Sequence, residues 1–153
     1  MISAYVQRAR EKVRQPTRAD IETLVARIEA APVERREMAD DILRACGWVD
    51  IEDEGGLRYW CLLGRHDDRF DRVFVAKSRP DPLADLNEAV ELIPPGCMTT
   101  LFLRDTAALA QVNDLADGRY GCMLGKGHVD RGPHLARALV VAALRARAAR
   151  MPA

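Results

Sequence analysis

The fold of this chain is decided by the stretches RPDPLADLNEAVELIPPG (residues 79–96) and GPHLARALVVAALRARAAR (residues 132–150). The first predicts a short helix bracketed by prolines, with an apolar stripe of Leu83, Leu86, Val90 and Ile93. The second predicts a closing helix that is apolar almost all round over residues 138–144, so its middle should be buried. Neither stretch contains catalytic chemistry. Both predict helices that cover a sheet.

Three more helices are predicted in the first fifty residues. The first spans residues 2–14. Thr17 then offers an N-cap, with Asp20 as its partner in a capping box. The second helix has its apolar residues at helical spacing, namely Ile21, Leu24, Val25 and Ile28. Pro32 suits the first turn of the third helix and Gly47 its end, and the inner face of that helix carries Met38, Ile42 and Leu43.

Beyond residue 56 the period of the sequence changes to that of strands. Strands are predicted at residues 57–63, 72–77, 98–103 and 119–124. Residues 50–56 predict a solvated turn, and residues 106–112 a helical turn or short helix. This order predicts an α+β fold, with one small, mainly antiparallel sheet of about four strands packed by helices.

The composition is that of a globular chain. Its 153 residues suffice for one domain whose core needs neither disulfides nor metal. Hydrophobic residues make up 48% and charged residues 30%, which excludes a disordered chain. No apolar run approaches the roughly 20 residues of a membrane helix, and the N-terminus lacks the apolar stretch of a secretory signal. We expect a cytoplasmic protein with no membrane partner.

The formal charge is zero, but it is unevenly distributed. Residues 1–18 hold five basic side chains against Glu11, and residues 131–150 hold five arginines and no acid. Basic ends can seek phosphate, or they can lie on the acidic body of the same fold or of a second subunit. No aromatic residue interleaves with the C-terminal arginines to stack bases. The second interpretation is therefore favoured, and nucleic acid is not the expected partner.

Metal chemistry is disfavoured by the spacing of its candidate ligands. The four cysteines, Cys46, Cys61, Cys97 and Cys122, include no closely spaced pair, so we expect structural free thiols and no zinc site. The loop over residues 64–71 holds donors suitable for a divalent ion, namely His66, Asp67, Asp68 and Asp71. Two arginines in the same loop favour a charged hairpin tip. No metal and no cofactor are expected.

The segment GCMLGKGH at residues 121–128 resembles a phosphate loop. It is one residue short between its first two glycines, and Gly127 stands where Ser or Thr would hold magnesium, so a Walker-type hydrolase is disfavoured. The backbone of Gly125, Lys126 and Gly127 could still form a weaker anion nest.

A nucleophilic enzyme has little support in the sequence. Ser occurs only at positions 3 and 78, and no Gly-x-Ser-x-Gly elbow exists. Cys122 with His128 as its base remains an alternative. Trp60 is expected to fill core, or else to form one wall of a ligand pocket beside Arg65 and Arg69.

Residues 81–96 resemble the "short helix, Leu-Ile/Val-Pro-x-Gly, strand" element of the phage ABA sandwich proteins, and residues 132–148 resemble the closing helix of that family. Residues 21–31 and the helix predicted after them are similar to its opening helix pair. His134 and Arg137 depart from the pattern, since small apolar residues are usual there. The resemblance implies a phage or prophage origin and an α-β-α sandwich. It implies a single domain over residues 17–150, with residues 1–16 as a helical extension.

The leading hypothesis is a phage or prophage accessory protein that acts by binding, without catalysis, in the host cytoplasm. A first alternative is a protein that sequesters a small anionic ligand, such as a nucleotide signal, to counter host defence. Its ligand-binding residues would be Trp60, Arg65, Arg69, Gly125, Lys126, Gly127 and His128. A second alternative is an enzyme that uses Cys122 and His128, or a metal at residues 66–71. The first helix carries Ile2, Tyr5, Val6 and Val13, which indicate a homodimer.

Overall fold

The structure, a computed structural model, describes residues 2–31, 36–63, 70–75, 79–104, 107–114, 118–124 and 133–153. Within these ranges the helices are α1 (Ile2–Lys12), α2 (Arg18–Ala30), α3 (Arg36–Ala45), α4 (Leu86–Val90) and α5 (Pro133–Ala149). The strands are β1 (Trp48–Glu52), β2 (Arg58–Leu63), β3 (Phe70–Val75), β4 (Cys97–Arg104), β5 (Ala107–Asp114) and β6 (Gly118–Leu124). The predicted α+β class is confirmed.

The strands form two sheets where one of about four strands was expected. Both described sheets are antiparallel and three-stranded, in the orders β1-β2-β3 and β4-β5-β6. The difference arises because the sequence pattern missed β1 and β5. Each supplies a strand that completes a local meander, so the strands on either side of α4 belong to separate sheets. The α-β-α sandwich stays a prediction.

Strand β1 lies where a solvated turn was predicted. Its acidic residues obscured the alternation, in which Val49 and Ile51 are buried while Asp50 and Glu52 are partly or fully exposed. The turn itself is shorter and follows the strand. Its Asp53 carboxylate accepts hydrogen bonds from the backbone N–H groups of Gly55 and Leu57, both at 2.8 Å.

Strand β5 lies where a helical turn was predicted. Alanine favours helices intrinsically, and residues 107–110 contain three alanines. In the structure Ala108, Ala110 and Val112 are completely buried, while Leu109 and Gln111 are partly exposed. Tertiary packing thus overrides helix propensity, because the small alanines let α5 approach the sheet closely.

Several helix predictions are confirmed. The Thr17–Asp20 capping box is present, and Ile21, Leu24, Val25 and Ile28 are buried. Met38, Ile42 and Leu43 of α3 are also buried, and Gly47 has the φ of 92° that suits the residue after a helix end. Pro32 lies outside the described residues.

The predicted apolar stripe of the proline-bracketed helix is wrong at Val90, and the helix is shorter than the stripe. Asp85 caps α4 in the middle of the stretch by accepting from Asn87 N–H at 2.8 Å, so Leu83 precedes the helix. Val90, expected inside, is 46% exposed. Ala89 and Leu92 are buried in its place.

The described chain divides into two compact units. The first comprises residues 1–16 and 43–80, and the second comprises residues 17–42 and 81–153. The N-terminal helix thus groups with β1, β2 and β3. The single domain over residues 17–150 remains a prediction.

The first unit is built on one face of its sheet. Helix α1 packs on β1 and β2, and its Ala9 is completely buried in a cluster with Val49, Ile51 and Cys61. Val13 and Tyr59 pack against the same cluster. Helix α1 therefore has a place in the core of this unit, although the sequence left its role open. The homodimer expected from α1 remains a prediction.

The second unit is built around α5. This helix packs against β5 and β6, while α2 and α4 pack on the helix itself. Residues 138–144 are completely buried, as their all-apolar sequence predicts. No helix among the described residues combines the length and apolarity needed to span a bilayer.

Candidate functional site

Trp60 is the one predicted ligand-binding residue that the structure describes. It lies in β2 opposite Asp50 of β1, and it is only 4% exposed. The guanidinium carbon of Arg44 lies 5.3 Å from the ring centroid, which is a cation–π distance. Trp60 thus contributes to the interior of the first unit, and a cation from α3 lies over its ring.

The other predicted ligand-binding residues lie outside the described residues: Arg65, Arg69, Gly125, Lys126, Gly127 and His128. The metal candidates His66, Asp67 and Asp68 also lie outside them. Asp71 and Cys122 belong to β3 and β6. Among the described residues, no three His, Cys, Asp or Glu residues are grouped so that they could hold a metal ion.

Three cations surround Asp50 in the first unit. Arg58 Nη2 donates to Asp50 Oδ2 at 3.0 Å, and Arg44 Nε lies 4.0 Å from Asp50 Oδ1. Lys12 Nζ donates to the backbone carbonyl of Asp50 at 3.3 Å. Two guanidinium groups thus lie at the Asp50 carboxylate and one ammonium group at its backbone carbonyl, and these cations come from α1, α3 and β2. This group is called the Asp50 cluster below.

The Asp50 cluster was missed from the sequence. Its members are far apart in the chain, and residue 50 was assigned to a turn. The alternation of Val49 and Ile51 with Asp50 and Glu52 was the signal that could have placed Asp50 on a strand. Nothing in the sequence pattern pairs that strand with Lys12 or Arg44.

Three cysteines have described side chains, Cys46, Cys61 and Cys97, and none of the three forms a disulfide. Cys46 and Cys61 are buried, and burial raises the pKa of the Cys61 thiol from 9.0 to about 11. A nucleophilic cysteine requires the opposite shift, because the thiolate is the reactive form. Cys97 is half-buried, and its sulfur accepts a hydrogen bond from Arg150 at 3.3 Å.

The arginines near the end of α5 are used inside the second unit. Arg145 pairs with Glu29 of α2 at 2.7 Å. Arg147 donates to the carbonyl of Leu92 from Nε at 3.2 Å and from Nη2 at 3.0 Å. Arg150 donates to the carbonyl of Pro95 at 2.8 Å. These contacts agree with the interpretation that the basic end of the chain lies on its own fold.

A groove of about 220 Å³ lies between α2 and α5. Its floor is apolar, formed by Ile21, Val25 and Ala148, among others. Its rim carboxylates already have partners, since Glu22 pairs with Arg18 and Glu29 pairs with Arg145. The groove therefore offers a ligand little beyond a small apolar floor.

The second sheet has one covered and one open face. In β4 and β5, alternate residues point to opposite sides, and the side that carries Ala108, Ala110 and Val112 is the one buried against α5. The other side, called the open face below, carries Met98, Thr100, Phe102, Leu109, Gln111 and Asn113, and the side-chain Oδ1 of Asn113 is buried. Met98 is 60% exposed and Phe102 is 49% exposed, while Thr100, Leu109 and Gln111 are partly exposed.

The open face arranges its side chains in cross-strand pairs. Phe102 lies opposite Leu109, and Thr100 lies opposite Gln111. Side chains opposite each other on neighbouring strands lie in contact range. An apolar pair thus lies next to a pair that can donate and accept hydrogen bonds.

Comparisons of the chain with protein-family models, with curated proteins and with solved structures find no match. The resemblance to the phage ABA sandwich proteins accordingly stays a prediction.

Proposed function

We propose that this chain acts by binding a partner protein, and that the open face receives an amphipathic helix of that partner. The observation that carries the proposal is the exposure of Met98 and Phe102, which lie on one side of β4 with Thr100 between them, on the face opposite the one where β5 is buried against α5. A sheet reaches a stable layered arrangement when its apolar face is covered by another layer. A partner helix would complete the α-β-α sandwich that the sequence suggests.

The side chains of the open face favour a partner helix that has a stripe of apolar residues flanked by polar residues. Full burial of a Met or Phe side chain contributes about 1.5–3 kcal/mol, so these two residues supply most of the expected affinity. Thr100 and Gln111 lie beside them and can orient the partner through hydrogen bonds. Aromatic residues and Met are also the types enriched in protein interfaces.

A designed helical peptide with one leucine stripe and otherwise polar residues tests this proposal. We expect fluorescence anisotropy to show saturable binding to the native chain. Phe102→Lys should weaken that binding at least about tenfold, because it places a charge in the apolar centre of the surface. Leu57→Lys is the matched control, since Leu57 is an equally exposed apolar residue of the first unit, at 55%.

Binding that is equal in the native chain and the Phe102→Lys variant would refute the open face as the site. Equal losses in Phe102→Lys and Leu57→Lys would show non-specific adhesion of the peptide. Far-ultraviolet circular dichroism of each variant checks that the fold is retained.

The phage or prophage origin and the host cytoplasm as the place of action belong to the same proposal. Their support is the resemblance carried by residues 81–96 and 132–148. Sequencing the genes that flank this one tests the origin, since we expect phage structural or regulatory genes on both sides. A flanking region made up entirely of host metabolic genes would contradict it.

The Asp50 cluster favours a second candidate function, the binding of a small anionic ligand. Lys12, Arg44 and Arg58 provide the positive charge, and Arg44 also lies over Trp60. A nucleotide present at a hundredfold excess over its dissociation constant should stabilise the fold by about 2.7 kcal/mol. Thermal denaturation with mono- and dinucleotides measures this effect, which Arg58→Ala should reduce. If no nucleotide shifts the melting temperature, this candidate fails.

A further inference from the structure

Among the described strands, β4 is an edge of the second sheet, and its segment 97–103 carries none of the charges, prolines or bulges that usually protect an edge. Its eight residues pair with β5 in an unbroken register from Cys97 to Arg104. No charged residue, proline or bulge interrupts the segment 97–103. Its exposed side chains include Met98, Phe102 and Leu103.

Such an edge is a template for another strand. Proteins normally prevent pairing of edge strands with charges, prolines, bulges or a covering element. The described backbone hydrogen bonds of residues 98–103 are those of the β5 ladder. A long, regular and apolar edge thus favours pairing with a second strand in solution.

We propose that β4 pairs with β4 of a second copy of this chain, antiparallel, with Thr100 opposite the partner's Thr100. A twofold axis relates the two strands, which is the commonest symmetry of protein oligomers. The two sheets then join into one of six strands. The inference goes beyond the proposed function, because it concerns the edge of the sheet and the partner helix binds to its face.

The order of side chains along β4 selects this register. Residues on opposing strands face each other in pairs, so centring on Thr100 places Met98 opposite the partner's Phe102 and Phe102 opposite the partner's Met98. A thioether beside an aromatic ring is a favourable contact. Arg104 then lies opposite the partner's Gly96, so the arginines of the two copies do not oppose each other.

Neighbouring registers lose this complementarity. A shift of two residues one way places Phe102 opposite the partner's Gly96, and a shift the other way places Met98 opposite the partner's Arg104. A shift of one residue places the open face of one copy beside the covered face of the other. Pairing about Thr100 is the register that joins the two open faces and matches their apolar side chains.

The dimer is expected to depend on concentration, because a pair of eight-residue strands buries a small interface. Sedimentation velocity of the native chain up to about 1 mM should therefore show a rise towards twice the mass of the chain. Thr100→Lys and Thr100→Glu should each weaken self-association at least about tenfold, since like charges then face each other across the axis. An equimolar mixture of the two variants should form a heterodimer, because the charges are now opposite.

Gln111→Lys is the matched control. Gln111 shares the open face with Thr100 but lies on β5, one strand away from the proposed axis. This substitution should leave the dimer intact while it weakens binding of the helical peptide, so failure of the edge pairing and failure of the proposed function are distinguishable.

Thr100→Cys gives a second readout that does not depend on charge. Under mild oxidation we expect it to form a covalent dimer much faster than Gln111→Cys, because only residue 100 faces its own copy across the axis. A native chain that stays monomeric at every concentration would overturn the proposal. So would a Thr100→Lys variant that dimerises like the native chain, or a mixture of the charge variants that does not pair.

Discussion

At the scale of single residues, Arg137 is the least expected feature of this chain. It is a charged residue, yet it is only 7% exposed on the buried part of α5. Its Nη2 donates to the carbonyl of Ile28, and to the carbonyl of Ala31 at 2.6 Å. These carbonyls belong to the last turn of α2, where helices leave backbone acceptors unpaired.

The sequence explains why this helix end needs an external donor. The carbonyl of Ile28 cannot accept from residue 32, because residue 32 is proline and has no N–H. Its backbone hydrogen bond from the Ala31 N–H is long, at 3.3 Å, and that N–H is shared with the carbonyl of Arg27. The positive charge of Arg137 also complements the negative end of the α2 dipole. The charged residue is visible in the sequence, but the acceptors it serves lie more than a hundred residues away.

Replacement of Arg137 should be costly. Arg137→Ala leaves two carbonyls of α2 without their charged donor, so we expect the free energy of unfolding to fall by about 3 kcal/mol. Arg145→Ala on the same helix is the control, because it breaks a partly exposed ion pair and should cost less than about 1 kcal/mol. Urea denaturation measures both. Equal losses in the two variants would contradict the capping role of Arg137.

Burial of Cys61 makes a prediction for alkaline pH. The unfolded thiol deprotonates first above its pKa of 9.0, while the folded thiol stays protonated up to about 11. Stability should thus be flat with respect to this group below pH 9.0, and the native chain should lose about 2 kcal/mol relative to Cys61→Ala on reaching pH 11. Denaturation curves of both proteins over this range provide the test. Curves that run parallel would show that Cys61 does not contribute.

At the scale of elements, the sequence predicts features that depend on neighbouring residues, and it fails for strands that depend on contacts with distant parts of the chain. The capping box of α2, the end of α3 at Gly47 and the buried middle of α5 depend on residues within a few positions of each other. Strand β5 could not be predicted without knowing that α5 packs on it, since alanines form strands or helices according to what packs on them. Strand β1 could not be predicted without knowing that it pairs with β2, in which Arg58 and Tyr59 lie opposite Glu52 and Ile51.

The capping box offers a test of the element that was best predicted. Thr17→Ala removes the hydroxyl that accepts from Asp20 N–H, and it should lower the free energy of unfolding by about 1 kcal/mol. Thr23→Ala is the control, because Thr23 lies exposed within α2 and alanine has the higher helix propensity. We expect that variant to be neutral or slightly stabilised in urea denaturation. A Thr17→Ala variant as stable as Thr23→Ala would contradict the capping role.

At the scale of the whole molecule, the charge asymmetry of the sequence is explained by internal contacts. Arg145, Arg147 and Arg150 bind to groups of their own unit, and Lys12 binds to β1. The open face was not foreseen, because the sequence predicts only that Met98 and Phe102 belong to a strand of a sheet packed by helices. The strand register determines on which face of the sheet each side chain lies, and the sequence alone does not give that register.

The central claim is that the chain binds its partners through β4 and the open face. Photo-crosslinking from position 102 in cells that express the chain tests it most directly, with a benzophenone amino acid in place of Phe102 or, as control, of Leu57. We predict a strong crosslinked adduct from position 102 and little from position 57, and mass spectrometry should identify the adduct as a second copy of this chain or a protein with an amphipathic helix. Equal crosslinking from the two positions, or none from position 102, would contradict the account.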